Sequence, residues 1–154
     1  MPKNIVKIFE FFLIIFLLVF LSNCSAKFNE NSKQIFIDNG KNLIKLNVEI
    51  ADDNQERAKG LMFRERLDEN NGMLFIFDDT DYQTFWMKNT LISLNIIFID
   101  KDLKIMDIKP AVPCFKDPCI LYKSSKPVKY VLEVGGNFTI RNSIKIGDRI
   151  IIKQ

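Results

Sequence analysis

No histidine occurs among the 154 residues of this chain, and that absence removes more chemistry than any other feature of its composition. Ser-His-Asp and Cys-His nucleophile systems, His-ligated zinc and imidazole acid–base catalysis are all excluded. Any chemistry therefore falls to carboxylates, Lys, Tyr or Cys. The chain also lacks a strong excess of either charge: 22 basic against 19 acidic side chains give +3, which makes no electrostatic case for nucleic acid. Long apolar runs are missing too, since the longest, residues 11–21, is shorter than the ~20 residues a membrane-spanning helix needs. Cysteine occurs three times and tryptophan once, at Trp86. What the chain has in quantity is phenylalanine, 14 residues, in keeping with a packed core and not with disorder.

The apolar run follows Lys3 and Lys7 and reads as the core of a signal peptide. Leu21-Ser22-Asn23-Cys24 then resembles the lipobox of bacterial lipoproteins, whose Cys is diacylated and becomes the new N-terminus; Asn23 stands where Gly, Ala or Ser is usual. The expectation is a lipoprotein signal peptide over residues 1–23, lipidation at Cys24 and a tether over residues 24–33 reaching up to ~30 Å. An uncleaved anchor over residues 5–21 is the alternative, and Lys7 and Glu10 inside that span count against it. Two or three acyl chains hold a protein where a single chain is marginal. The domain, residues 34–154, would then sit at the bacterial cell envelope, facing the periplasm or the cell exterior.

With Cys24 lipidated, Cys114 and Cys119 remain as a pair in an oxidising compartment. A structural disulfide closing their six-residue loop is the expectation, worth roughly 2 kcal/mol on the chain-entropy model. A redox pair or half a metal site fits less well, because the spacing is C-x4-C and there is no second ligand pair. No metal and no cofactor are expected.

Residues 34–37 and 44–50 alternate around Asp38-Asn39-Gly40 and read as an opening hairpin. Asp52-Asp53-Asn54 offers caps for a helix over residues 55–59, with Gly60 as its stop. Residues 73–77 form an apolar strand, followed by an acidic loop over residues 78–81. That loop has neither the glycine nor the glutamate of an EF-hand and reads as solvated. Residues 94–100 and 103–109 read as a second hairpin, residues 110–127 as a long proline-marked loop, and residues 130–134 as a strand ended by Gly135-Gly136. A short helix over residues 138–143 and a strand, turn and strand over residues 144–152 complete the chain. The fold class is mainly β: an antiparallel sandwich or barrel with one or two short helices.

The blocks Glu56-Arg57-Ala58-Lys59-Gly60-Leu61-Met62-Phe63-Arg64, Gly72-Met73-Leu74-Phe75, Phe85-Trp86-Met87-Lys88-Asn89-Thr90, Pro113-Cys114 with Cys119, Tyr130-Val131-Leu132-Glu133-Val134 and Gly147-Asp148 together resemble the domain of unknown function 192 family. The resemblance runs from about residue 44 to residue 152 and implies a compact all-β domain, often exported and sometimes lipid-anchored in bacteria. It brings no biochemical activity with it. The chain departs from the pattern at Ser93, Asn95 and Gly135, where Pro, Asp and Asn are common; Asn95 could not ionise in place of a catalytic Asp.

The candidate binding residues are Trp86, Lys88, Asn89, Arg64 and Glu133. Trp86 beside Phe85 offers a platform for a sugar ring or other flat ligand, or packs at the rim of the core. Lys88 and Asn89 either reach an anionic ligand or form a turn with a solvated charge. Glu133 would be unremarkable on a polar strand face with Val131. Drawn inward, it must find Arg57, Arg64, Lys88 or backbone donors. Three functions are weighed: a non-enzymatic envelope module that binds a small ligand, glycan or protein partner; a glycan-acting hydrolase or lyase; and a structural accessory lipoprotein. The enzyme would use Glu133 with Asp100 or Asp117 as its acid–base pair and Lys88 as charge stabiliser.

Overall fold

The computed structural model describes residues 32–152. The signal peptide, the lipidation site Cys24 and the tether up to residue 31 lie outside the described residues. Ser32 and Lys33, assigned to the tether from sequence, already belong to a strand.

The opening hairpin forms as its alternation predicts. Strand β1 (Ser32–Asp38) pairs antiparallel with β2 (Leu43–Ala51). Helix α1 (Asn54–Lys59) follows, its first turn capped by the Asp53 carboxylate, which accepts from the Glu56 N–H at 2.7 Å. Gly60 ends it at φ +48°. The crossover through α1 turns the chain so that β3 (Asn71–Asp81) runs parallel to β2.

Seven strands form one curled sheet in the order β6-β5-β8-β3-β2-β1-β9. The remaining members are β5 (Leu94–Ile99), β6 (Ile105–Ala111), β8 (Val128–Gly135) and β9 (Arg149–Ile152). The curl brings the two edges together: Ile105 N–H donates to Asp148 O, Gly147 N–H to Ile105 O, and Ile150 N–H to Leu103 O. A half-barrel results, with both sheet faces covered. One face packs Ile35, Leu46, Leu74, Ile97 and Leu132 with Phe138 of the short helix α2 (Phe138–Arg141). The other packs Met73, Phe75, Ile96, Phe98 and Val131 under α1, Leu61 and the strip that follows β3.

That strip includes β4 (Thr84–Trp86), which pairs with β7 (Leu121–Lys123) as a separate two-stranded ribbon. Phe85 points inward from it and meets Phe75 and Phe98 edge to face, at centroid distances of 4.9 and 6.1 Å. Trp86, on the opposite face of the ribbon, stands opposite Leu121.

Three further sequence expectations are corrected. The acidic segment 78–81 is strand, because β3 runs on beside β8 to the pair Asp81–Val128 and Lys129 Nζ bonds Asp78 O at 2.6 Å. Backbone pairing with a neighbour continues past the apolar residues that announced the strand. The segment 110–127 is not one loop, since β6 extends to Ala111 and β7 lies within it. Residues 144–146 form no strand; Ser143 takes φ +53° and Ile144 N–H bonds Thr139 O at 2.8 Å, turning the chain under α2.

Candidate functional site

The central position of β8 decides the fate of Glu133. The strand lies between β3 and β5, with Met73 and Ile96 as the direct neighbours of Glu133, and both are buried. Residues paired in this way share a sheet face, so Glu133 points into the second core with Val131. The sequence reading of a solvated face shared with Val131 is overturned, because α1, Leu61 and the β4 strip cover that face. Glu133 is only 4% exposed.

None of the expected partners meets it. Arg57 donates to the carbonyls of Asp52 and Ile76 and to Asn54 Oδ1, and Arg64 makes a two-pronged ion pair with Glu49. Lys88 pairs with Asp117 at 3.1 Å. Among the described residues no hydrogen bond reaches the Glu133 carboxyl. Burial pushes its pKa up from 4.5 to about 8, so at neutral pH the group is a neutral carboxylic acid and avoids the cost of an unpaired buried charge.

A crevice of about 30 Å³ opens over this acid, lined among others by Gly60, Phe75, Phe85, Trp86 and Thr90. Gly60 leaves the opening: a β-carbon there would lie 3.3 Å from Phe75 Cζ and 3.9 Å from Glu133 Oε2. Trp86, 46% exposed, stands at the rim. Lys88 lies outside, its Nζ 5.4 Å from the centre of the Trp86 ring.

Of the five candidate binding residues, two meet at this crevice, Glu133 and Trp86. Lys88 touches Trp86 from the solvent side. Asn89 takes a left-handed φ of +56°, and its carbonyl accepts from Phe63 N–H at 2.7 Å, so it shapes the turn that carries Thr90 back to the core. Arg64 is held at Glu49; that hydrogen bond keeps its pKa above its usual value against the opposing effect of burial. Asp100 caps the β5–β6 turn by accepting from the N–H groups of Asp102 and Lys104, and neither it nor Asp117 lines the crevice.

Cys114 and Cys119 form a disulfide. Asp117 brings a third donor atom within 4.8 Å of their sulfurs, but the sulfurs are bonded to each other and offer no thiolates. The loop is stitched to the tryptophan strip through Cys114 N–H, which donates to Met87 O at 3.3 Å, and through the Lys88–Asp117 pair. Asn95 lies on the opposite sheet face from Glu133, beside Val134. Its Oδ1 accepts from the Thr139 N–H and hydroxyl, each at 3.1 Å, and so holds the start of α2.

The sequence reading missed Gly60, Phe75 and Thr90 as lining residues. Gly60 was legible only as a helix stop, although a β-carbon there would also lie 3.9 Å from Glu133 Oε2.

A small half-barrel whose crevice ends on one buried acid is the class of protein that these features define. The family profile described as DUF192, Uncharacterized ACR, matches residues 35–152, and the chain belongs to that family. Among solved structures it is similar to a Sinorhizobium meliloti protein described as a candidate transcription regulator. The two are 33% identical, with 79% of this chain and 93% of that one covered, at a TM-score of 0.74. A Novosphingobium aromaticivorans protein of unknown function is 35% identical, with 77% and 84% covered, at a TM-score of 0.72. No curated protein matches the chain.

Proposed function

We propose that this protein is a non-enzymatic binding module of the bacterial cell envelope. In this reading it is carried on a lipid anchor at Cys24 and presents the Glu133 crevice to a small ligand, or to an end group of a glycan or envelope protein. The observation that carries the binding reading is the unpartnered, buried acid of Glu133 at the foot of an opening flanked by the exposed Trp86. Among the described residues no fully buried side-chain oxygen lacks a partner, so the Glu133 carboxyl, which receives no hydrogen bond, opens onto the crevice, where a ligand can reach it and supply the donor that the fold does not. The envelope reading is supported by the order of charged start, apolar run and Leu21-Ser22-Asn23-Cys24 in the sequence.

Two tests follow. The mass of the protein isolated from bacterial membranes should correspond to a chain beginning at an acylated Cys24; an unmodified chain starting at Met1 would sink the anchor. For binding, Trp86 is the only tryptophan and lines the crevice, so its emission responds to a ligand that enters there. A panel of sugars, alcohols and amines should contain compounds that change it in the wild-type protein and far less in Glu133→Gln, which keeps Trp86 as the reporter.

A second reading rests on the same acid. A carboxyl that stays protonated at neutral pH suits a general acid of a hydrolase or lyase. Its expected second carboxylates, Asp100 and Asp117, are engaged away from the crevice, so the binding module is the better-supported reading. Turnover of an envelope glycan that disappears in a folded Glu133→Gln would reverse that order. The accessory-lipoprotein reading rests on the apolar surface around the disulfide, where Val112, Phe115, Ile120 and Leu121 are exposed. Co-purification with one fixed partner, lost in Phe115→Ser, would favour it.

A further inference from the structure

We infer that the crevice over Glu133 receives a primary ammonium group on a methylene stem, the chemistry of a lysine side chain or a short alkylamine, with the Glu133 carboxylate as counter-ion. The inference rests on the reading of the crevice as a ligand site and goes on to name its ligand class.

Size is the first argument. About 30 Å³ holds roughly one or two water-sized groups, so an ammonium head enters where a sugar ring or a trimethylammonium head does not. The walls are the second. Phe75, Phe85 and Trp86 surround the approach, and aromatic rings attract cations. Trp86 already carries one, the Lys88 ammonium at 5.4 Å. The third is the acid itself, which has no partner among the described residues and gains one full charge pair when an ammonium arrives.

The charged groups around the site come from α1 and from Lys88, which lies over Trp86 and is paired with Asp117. Neighbouring β3 and β5 contribute Met73, Phe75 and Ile96, and the β4 strip contributes Phe85, Trp86 and Thr90, none of them charged. Helix α1 contributes Arg57 and Lys59. The Arg57 guanidinium is turned onto two carbonyls and Asn54. Lys59 lines the crevice and is exposed, and its positive charge opposes the arrival of a second ammonium.

The binding step balances as follows: the neutral Glu133 carboxyl and the incoming ammonium give a carboxylate–ammonium pair and one proton released to solvent. Affinity for an ammonium ligand must therefore rise with pH until Glu133 is ionised in the free protein. A neutral hydroxyl ligand, held by the protonated acid, would show no such rise and would weaken above pH 8.

The test uses the full-length chain in neutral detergent, followed by Trp86 emission at constant ionic strength. The probes are n-butylammonium, n-butanol, tetramethylammonium and lysine blocked at both ends. Butylammonium is expected to bind about tenfold more tightly per pH unit below pH 7, the rise flattening toward pH 8, and at least tenfold more weakly in Glu133→Gln at pH 8. Lys59→Met should strengthen its binding a few-fold, a readout that does not depend on altering the acid. Tighter binding of blocked lysine than of butylammonium marks a peptide lysine as the source, and the reverse marks a free amine. Binding of butanol with a flat profile below pH 8 overturns the ammonium assignment while the crevice remains a ligand site. No response to any probe, with sugars equally silent, overturns both.

Discussion

Glu49 and Glu133 stand in one row of the sheet, separated by Met73 of the intervening strand, and they meet burial in opposite ways. Glu49 keeps its charge, because Arg64 reaches back from the segment after α1 and pairs with both carboxylate oxygens. Glu133 has no such arm. It is covered more completely, receives no donor and gives up its charge, its pKa pushed up to about 8 by burial. A fold that can supply an arginine to one glutamate supplies none to the other, and the unsupplied one faces the crevice. This contrast is why a ligand role is assigned to Glu133 and a structural one to the Arg64–Glu49 pair.

The raised pKa of Glu133 makes folding take up a proton. Its ordinary value is 4.5 and its folded value about 8, so the stabilising protonation is fully present below pH 4.5. It is lost as pH rises toward 8, and above that both folded and unfolded states are ionised. Over this window the wild-type protein should lose about 1.4 kcal/mol per pH unit from this group alone. Glu133→Gln, which keeps the shape and removes the proton, should flatten the profile and be the more stable protein at pH 8. Urea denaturation at pH 5, 6.5 and 8 measures this. Parallel profiles for the two proteins would mean that Glu133 is already ionised, with a partner, near neutral pH.

Gly60 is expected to be irreplaceable for two independent reasons. At φ +48° a residue with a side chain costs roughly 1–3 kcal/mol in backbone strain, and its β-carbon would press on Phe75 at 3.3 Å. Gly60→Ala should therefore lower stability by about that amount and reduce every ligand-induced change in Trp86 emission by narrowing the crevice. An alanine variant of wild-type stability and unchanged ligand response would remove Gly60 from the site.

Local signals in the sequence were sufficient where local physics decides. The cap at Asp53, the stop at Gly60 and the hairpin around Asp38-Asn39-Gly40 are each set within a few residues, and each formed as expected. The alternation that should have told the facing of Glu133 failed, because both faces of the sheet are covered and a central strand then carries no solvent-facing side. Nothing within the five residues of Tyr130-Val131-Leu132-Glu133-Val134 states that α1 and the strip 85–90 will lie across them. The same non-local cause hid Arg64. Its partner Glu49 lies across a crossover connection, and of the candidate residues Trp86, Lys88, Asn89, Arg64 and Glu133 only Glu133 and Trp86 line the crevice.

Asn95 is expected to matter for stability and not for binding. Its side-chain oxygen accepts two hydrogen bonds from Thr139, and it faces away from the crevice. Asn95→Ala should cost about 1–3 kcal/mol by leaving the Thr139 donors without their partner, whereas Asn95→Asp should recover most of that at pH 7. Denaturation midpoints of the three proteins decide this. If the Asp variant instead gains a turnover that the wild type lacks, Asp at this position has a chemical role and the Asn is a loss of it.

The disulfide loop gives the last prediction. Replacing Cys114 and Cys119 together by Ser reopens a six-residue ring and should cost about 2 kcal/mol on the chain-entropy account. The loss should extend beyond stability, because the loop holds Asp117 against Lys88, and Lys88 lies over the Trp86 ring. With the loop freed, the Lys88 ammonium has less to hold it over that ring, and the Trp86 emission should change even at temperatures where the domain remains fully folded. Asp117→Asn, which breaks the ion pair and keeps the disulfide, should reproduce the spectral change with little loss of stability, since exposed pairs of this kind contribute at most about 1 kcal/mol. If the Ser variant is destabilised while its spectrum stays that of the wild type, the loop is a staple only and does not position Lys88.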